Sequence, residues 1–148
     1  MTIQDFWDKF KNKFEIGNDI EYEAWQFGDS PDLLAQLVYN GIKTATCSLY
    51  CLYEIEGEKL PCKGEYSIIL NSNNEPICII RTTRVYITPF NKITYQHAYK
   101  EGEGDRSYEY WKKVHINFFT KELLNINKKF TEDMNVVCEE FEVVYKNN

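Results

Sequence analysis

Two apolar runs joined by an asparagine-rich turn constrain the fold of this chain more than any other feature. The runs GEYSIILN at 64–71 and PICIIRTTRVYI at 76–87 are rich in the β-branched and aromatic residues that strands favour. The segment that joins them consists of residues typical of turns, Asn71, Ser72, Asn73 and Asn74. The pattern predicts two antiparallel strands that pair as a hairpin.

Helical spacing marks the first part of the chain. Phe6, Phe10 and Phe14 lie four positions apart with Trp7 beside them, which places large aromatic side chains on one face of a helix over residues 2–15.

A second helix is bounded by characteristic residues at both ends. Asp29 or Ser30 is suited to cap its start, Pro31 fits its first turn, and Asn40-Gly41 ends it. Its apolar face consists of Leu33, Leu34, Leu37 and Val38.

The remaining elements complete an α+β pattern. Residues 94–100 predict a short helix, Ser107 can cap a longer one, and residues 135–145 predict a strand rich in valine and phenylalanine. The segment 43–55 fits a strand and a helix equally, because its apolar residues satisfy both periods. We expect one α+β domain, built on a mixed sheet that can close into a barrel, with helices packed on it.

The charge balance favours a small ligand over a long nucleic acid. The 148 residues carry 17 basic and 23 acidic side chains, a formal net charge of −6. Long nucleic acids are bound mainly through many Lys and Arg contacts to phosphates, which an acidic chain supplies poorly. A concave site recognises one nucleoside by stacking and hydrogen bonds whatever the net charge. We therefore expect a pocket and no long nucleic-acid groove.

Hydropathy and cysteine content indicate a reducing, aqueous environment. No run approaches the roughly 20 apolar residues of a membrane-spanning helix, and the start MTIQDFWDKF is unlike a signal peptide. We expect a cytoplasmic protein with no membrane contact. The five cysteines are then reduced and act as small buried hydrophobes. Cys47 and Cys51 lack the partners that would complete a zinc site, so we assign no metal ligand and no cofactor.

The turn GIKTAT at 41–46 brings one cation and two hydroxyls together. Lys43 alternates with Thr44 and Thr46, so Lys43 and Thr46 share a site only where the backbone bends. A lysine desolvated in a cleft loses its proton more readily and can act as a base or nucleophile. The alternative is a solvated lysine between threonines that favour a strand.

Three carboxylates, Glu101, Glu103 and Asp105, lie within five positions. Such crowding raises at least one pKa unless a cation lies nearby, and the two intervening glycines let the backbone fold around a ligand. The alternatives are a flexible acidic loop and a Mg²⁺ or Ca²⁺ site, although the spacing is not that of an EF-hand. His115, one helical turn after Trp111, either joins a satisfied hydrogen-bond network or contacts a ligand.

Aromatic and arginine residues offer further ligand contacts. Trp25 and its neighbours in WQFGD at 25–29 can stack a flat base, although core packing is the alternative role. Arg81 and Arg84 lie three apart on a strand and therefore on opposite faces, so only one can point into a shared interior. No Ser/His/Asp, P-loop or dinucleotide motif is present.

Taken together, several of these segments resemble an ASCH-domain protein, above all GIKTAT at 41–46 and EGEGDRSYEYWKKVH at 101–115, which are typical of a bacterial branch. The others are WQFGD at 25–29, LPCKGEYSIILN at 60–71 and CIIRTTRV at 78–85. The resemblance implies a PUA-like mixed β-barrel with flanking helices, and a family thought to act on RNA or modified nucleosides. It also implies a single ASCH domain over residues 1–148, with an amino-terminal helix within residues 1–20 packed on it.

Some small bacterial members of this superfamily are amidohydrolases that remove the acetyl group of N4-acetylcytidine. Their lysine, threonine and glutamate match Lys43, Thr46 and Glu101 here. The resemblance implies that threonine or water attacks the amide carbonyl, that Lys43 accepts the proton, and that Glu101 orients the lysine or protonates the leaving amine. Other relatives are ribonucleases or are presumed to bind RNA, so a non-catalytic binding module and an RNA-cleaving enzyme stay open as alternatives.

Several further residues are candidates for ligand contact. Arg106 and Ser107 stand at a helix start, where free N–H groups favour a phosphate or carboxylate. We expect the partner to be a nucleoside-like small molecule or a short RNA, and the oligomeric state stays open. The candidate substrate-binding residues are Trp25, Thr44, Arg81, Asp105, Arg106, Ser107 and His115.

Overall fold

The hairpin expected from the two apolar runs lies at the centre of the sheet in the computed structural model, which describes residues 1–148. The five strands are β1 (Tyr22–Trp25), β2 (Ala45–Leu49), β3 (Tyr66–Leu70), β4 (Pro76–Pro89) and β5 (Asn135–Lys146). The five helices are α1 (Ile3–Phe14), α2 (Pro31–Tyr39), α3 (Tyr50–Glu56), α4 (Tyr95–Glu101) and α5 (Tyr108–Leu124), and a short 3₁₀ turn spans Phe90–Lys92.

The strands form one mixed sheet in the order β1-β3-β4-β5-β2. Strands β1 and β3 are parallel, and the other three pairs are antiparallel. The α+β class is confirmed, but the expected closed barrel is wrong, because the edge strands β1 and β2 do not pair with each other. The aromatic ring of Phe118 on α5 contacts the loop after β1 at Gly28, where an added Cβ would lie 2.8 Å from the ring.

Adjacent residues of β3 point to opposite faces of the sheet, and each face has its own helix. Ile68 packs in a cluster with Phe6 and Phe10 of α1, whereas Ile69 packs with Val38 of α2. The aromatic spacing of the first helix therefore serves to cover one face. A third cluster, centred on Phe90, Trp111 and Phe119, joins α5 to β2 and β5.

The ambiguous segment 43–55 contains both elements that its periodicity allowed. Residues Ala45–Leu49 form β2 and residues Tyr50–Glu56 form α3, so the two periods belong to consecutive halves. Strand β1 was not predicted, because a four-residue strand carries too little alternation to be recognised. Helix α2 begins at Pro31 as expected, although Ser30 makes no side-chain capping bond and adopts a left-handed conformation.

A β-bulge overturns the expected placement of two arginines. Arg81 pairs with Glu142 and Arg84 pairs with Glu140, and these partners are two positions apart on β5. Directly paired residues project from the same face, so both arginines lie on one face of the sheet. The register shift between Thr82 and Arg84 supplies the extra residue that changes the alternation.

Candidate functional site

The lysine of the GIKTAT turn is buried, not solvated. Lys43 is 1% exposed, and its Nζ donates to Glu101 Oε1 and to the Glu101 carbonyl, both at 3.3 Å, and to Glu103 Oε2 at 3.0 Å. This close approach depends on Gly102, whose φ is +73° and whose added Cβ would lie 2.5 Å from the Ile42 carbonyl oxygen. The glycine lets the end of α4 lie directly against the turn.

Glu101 is the centre of this buried cluster. Its Oε2 accepts hydrogen bonds from Trp111 Nε1 and His97 Nε2, both at 2.7 Å. Its Oε1 lies 3.3 Å from Lys43 Nζ and 3.2 Å from His115 Nε2. Both carboxylate oxygens therefore have two donors each, as a buried charge requires.

The charges in this cluster stabilise one another. Burial alone would raise the pKa of Glu101, but the positive charges of His115 and Lys43 and its hydrogen bonds hold it well below the usual value. Burial alone would lower the pKa of Lys43, yet the carboxylates of Glu101 and Glu103 raise it. Lys43 is therefore an ammonium ion, and the expectation that desolvation would free its proton is wrong for this arrangement.

His115 belongs to the same ionic network. Its Nδ1 lies 2.8 Å from the Trp111 carbonyl oxygen, which can only accept, so Nδ1 carries a proton. Its Nε2 faces the Glu101 carboxylate. Burial lowers the pKa of His115, but the charge and hydrogen bond of Glu101, together with Glu103 and the Trp111 carbonyl, raise it above the usual value. The imidazolium form donates from both nitrogens, which matches the hydrogen-bond-network alternative for this residue.

The rest of the acidic loop is held by local contacts. Glu103 pairs with Lys43, which is the nearby cation that relieves the carboxylate crowding. Asp105 accepts the backbone N–H of Ser107, and Ser107 Oγ caps α5 by accepting from Tyr110 N. Arg106 donates to the carbonyls of Tyr99 and Ile42 and lies 3.6 Å from the Tyr99 ring centroid.

A cavity of about 720 Å³ lies beside this cluster and is lined by residues of all five strands. Its aromatic walls are Trp25, Phe27, Tyr53 and Phe118. Its polar lining includes the hydroxyls of Thr46, Ser48, Ser67 and Thr82 and the carboxylates of Glu23, Glu58, Glu65, Glu122 and Glu139. Lys59 is the one basic residue in the lining, so the cavity is strongly acidic.

Thr46 and Glu139 are direct cross-strand partners within this cavity. Their side chains therefore share a face of the sheet, at the separation that allows cross-strand contact. Burial raises the pKa of Glu139 to about 7, and the nearby carboxylates of Glu65 and Glu23 add to the effect. This carboxyl group is close to half-protonated at neutral pH.

Phe27 and Cys47 form the wall between the cavity and the buried cluster. Both line the cavity, and the Phe27 ring centroid lies 5.3 Å from Lys43 Nζ. Cys47 Sγ, a Glu101 oxygen and a His115 nitrogen lie within 4.8 Å of one another. Burial holds the pKa of the Cys47 thiol well above its usual value, so it is protonated and a poor metal ligand. We interpret this trio as part of the hydrogen-bond network.

The structure separates the predicted site residues into three groups. Thr46 and Trp25 line the cavity, and Lys43, Glu101 and His115 form the cluster behind its wall. The others lie outside the cavity lining, namely Thr44, Arg81, Asp105, Arg106 and Ser107. Thr44 Oγ1 lies 3.4 Å from the Lys100 carbonyl, and Arg81 is exposed above the Tyr66 ring.

Sequence reasoning missed three residues of this region as site residues. His97 and Glu103 complete the buried network. Both lie close to Glu101 in the sequence, which could have indicated that they belong to the same site. Glu139 had no such signal, because its place opposite Thr46 depends on the pairing of β2 with β5.

Known proteins share both the sequence pattern and the fold of this chain. The family model of the ASCH domain matches residues 23–145. The chain belongs to the ASCH domain family. This assignment confirms the resemblance seen in the sequence, and the family is linked to RNA binding. None of the proteins with curated descriptions matches the chain.

Solved structures agree with this assignment. A crystal structure of a protein from Enterococcus faecalis V583 is 40% identical, with a TM-score of 0.89, and the match covers 97% of this chain and 88% of that one. An ASCH domain from Lactobacillus crispatus JV V101 is 34% identical with a TM-score of 0.90, covering 96% and 93%.

A more distant structure shows the fold alone. A mutant form of an ASCH protein from Zymomonas mobilis is 10% identical with a TM-score of 0.50, and the match covers 86% of this chain and 73% of that one. These ASCH neighbours fit a PUA-like fold.

None of the helices is both long and apolar enough to span a membrane.

Proposed function

We propose that this ASCH-domain protein binds a small nucleoside-like ligand in the sheet cavity. The observation that carries the proposal is the cavity itself, which combines aromatic walls with convergent hydroxyl and carboxyl groups. Its volume of about 720 Å³ falls in the range of roughly 300–1,000 Å³ typical of small-molecule sites. Aromatic faces stack a flat base, and the polar groups fix its orientation.

The charge of the lining favours an unphosphorylated ligand. Five glutamates and one lysine line the cavity, so a phosphate group that enters it meets like charges at close range. RNA affinity depends largely on phosphate contacts, which makes a long RNA and RNA cleavage the weaker proposals. A free nucleoside has no phosphate that these carboxylates would repel. A base at an RNA end brings fewer phosphates near them than a long RNA does.

Calorimetry with a defined panel tests this proposal. The panel contains cytidine, N4-acetylcytidine, uridine, adenosine and cytidine 5′-monophosphate, together with a short single-stranded RNA. We expect saturable binding of at least one nucleoside and weaker binding of the monophosphate. Trp25→Ala should weaken binding, whereas Tyr95→Ala, which removes a 69% exposed aromatic ring outside the lining, should not. Failure of every nucleoside to bind would contradict the proposal.

Fluorescence offers a second readout of the same binding. Trp25 lines the cavity, while the other two tryptophans, Trp7 and Trp111, are each 2% exposed in the core. A ligand that stacks in the cavity should change the emission of Trp25 alone. The change should disappear in Trp25→Phe, which keeps an aromatic wall.

A second candidate function is hydrolysis of an N-acyl group on the bound nucleoside. The Thr46 hydroxyl favours it, because it lines the cavity and belongs with Lys43 and Glu101 to the family-matching pattern. Water would add to the acyl carbon, the C–N bond would break, and the products would be a carboxylic acid and the free amine. Thr46 would orient this water, or would attack first and release the amine, forming an acyl-threonine ester that water then hydrolyses to the carboxylic acid.

The buried pair then has an electrostatic role. Lys43 is already protonated, so we assign it the stabilisation of negative charge that develops on the acyl oxygen, and not proton abstraction. Glu101 holds the ammonium in place through its 3.3 Å contact. Because Phe27 stands between Lys43 and the cavity, this role requires the Phe27 ring to turn aside.

Chromatographic turnover of N4-acetylcytidine tests the hydrolysis. Thr46→Val removes the hydroxyl at nearly constant shape and should abolish release of cytidine, whereas Thr46→Ser should retain part of it. Thr88→Val, a matched change on β4 outside the cavity lining, should leave turnover unchanged. Equal turnover in Thr46→Val and the wild type would remove Thr46 from the reaction.

A further inference from the structure

Glu139 is a cavity glutamate whose carboxyl group has no counter-ion. It lies on β5 opposite Thr46, and the hydroxyl-bearing Thr82 of β4 lines the same cavity. No lysine, arginine or histidine forms an ion pair with it, although its neighbour Glu140 pairs with both Arg84 and Lys100. A cavity carboxyl without a counter-ion is poorly solvated in its ionised form.

Two neighbouring carboxylates act on Glu139, and Lys59 is the one basic residue in the cavity lining. Glu23 of β1 and Glu65, which immediately precedes β3, carry negative charges that raise the pKa of its carboxyl group. Strands β2 and β4 contribute only hydroxyl groups to the polar lining apart from the Cys47 thiol. The titratable residues of the remaining walls are Tyr53 of α3, Glu58 and Lys59 of the following loop, and Glu122 of α5. These surroundings favour a neutral carboxylic acid.

We propose that Glu139 is a specificity-determining residue, whose protonated carboxyl reads a ligand edge with a hydrogen-bond acceptor beside an N–H donor. A carboxylic acid has one O–H donor and one carbonyl acceptor, and it pairs with such an edge through two hydrogen bonds. The ring nitrogen and adjacent amino or acylamino group of a cytosine form an edge of this type. The inference rests on the proposed nucleoside binding and names the ligand class of that site.

Ligand entry strengthens the preference for the neutral acid. A base that fills the cavity displaces water from the Glu139 carboxyl, which disfavours the ionised form further. An ionised carboxylate has no proton to donate to the ring nitrogen, and its charge repels that acceptor. The binding-competent fraction therefore follows protonation of Glu139, whose pKa is about 7 in the unliganded protein.

The test measures the affinity for N4-acetylcytidine and cytidine by calorimetry at pH 6 and pH 8. If only the protonated form binds, the wild-type dissociation constant rises about tenfold between these values. Glu139→Gln keeps a donor and an acceptor at both pH values, so its affinity should be pH-independent. Glu139→Ala should bind at least about tenfold more weakly than the wild type at pH 6.

Glu142→Gln is the matched control, because Glu142 is an exposed glutamate of the same strand outside the cavity lining. It should keep the wild-type pH dependence. A wild-type pH profile in Glu139→Gln, or unchanged affinity in Glu139→Ala, would overturn the inference. Near-UV circular dichroism verifies that each variant has the native fold.

The inference and the proposed function fail in different ways. A ¹³C titration of the Glu139 carboxyl in the ligand-free protein should give a pKa of about 7, and a value near that of an ordinary glutamate would overturn the inference without any ligand. Nucleoside binding that is insensitive to Glu139 would preserve the proposed function alone. If no nucleoside binds, both fail.

Discussion

Glu101 Oε1 lies 3.3 Å from Lys43 Nζ, and each side chain is 1% exposed. The two residues are 58 positions apart in the chain and meet because α4 ends against the turn that precedes β2. Buried ion pairs stabilise a fold little relative to apolar packing, but removal of one partner leaves an uncompensated charge.

We expect Glu101→Gln to destabilise the protein by about 3–5 kcal/mol, because Lys43 and His115 would lose their shared counter-ion. Guanidinium unfolding measures this loss. The control Glu140→Gln breaks surface pairs with Arg84 and Lys100 and should cost less than about 1 kcal/mol. Similar losses of unfolding free energy in the two variants would show that burial does not increase the cost of breaking the Glu101 pair.

The same cluster should set the acid limit of stability. The pKa of Glu101 in the folded state lies well below the ordinary value of 4.5, so its contribution is complete above pH 4.5 and is lost as the pH falls further. Unfolding free energies between pH 3 and pH 6 measure this slope. Glu101→Gln should be less stable overall but flatter below pH 4.5, and an unchanged slope would contradict the assignment.

Glu139 should act in the opposite direction. Its folded-state pKa of about 7 lies above the ordinary 4.5, so ionisation destabilises the fold as the pH rises through this interval. Glu139→Gln removes that cost, and we expect it to be more stable than the wild type at pH 8 by about 1–3 kcal/mol. Thermal unfolding at pH 5 and pH 8 should show the difference at pH 8 only. A loss of stability at pH 8 would argue for an ionised Glu139 with a partner.

Gly102→Ala should strain the contact that brings the cluster together. Its added Cβ would lie 2.5 Å from the Ile42 carbonyl oxygen at a positive φ, so we expect a loss of about 2–4 kcal/mol. Gly57→Ala is the control, because Gly57 also has a positive φ but no atom within 4 Å of an added Cβ. It should lose only about 1 kcal/mol. Equal losses in chemical denaturation would assign the effect to φ alone.

Local features of the sequence were sufficient for most of the elements. Turn residues and apolar alternation identified the β3–β4 hairpin, and aromatic spacing identified α1. Ser107 was recognised as the cap of α5, and its Oγ accepts the Tyr110 N–H. These signals are readable because capping, turns and periodicity depend on neighbours within a few positions.

The family resemblance identified the Lys43–Glu101 pairing before any geometry was known. It did not reveal the charge state of these residues or their position relative to the cavity. Lys43 is an ammonium ion behind Phe27, and Arg106 donates to the backbone carbonyls of Tyr99 and Ile42. Charge state depends on the balance between burial and partners, which spacing in the chain does not record.

By itself, the sequence determined the α+β class, the central hairpin, the main helices and membership of the ASCH family. Only the tertiary structure decided that the sheet stays open, that the bulge after Thr82 turns Arg84 to the face of Arg81, and that Glu139 stands opposite Thr46. The physical reason is that register and edge pairing arise from contacts between distant segments. A shift of one residue in that pairing would move a side chain to the other face of the sheet.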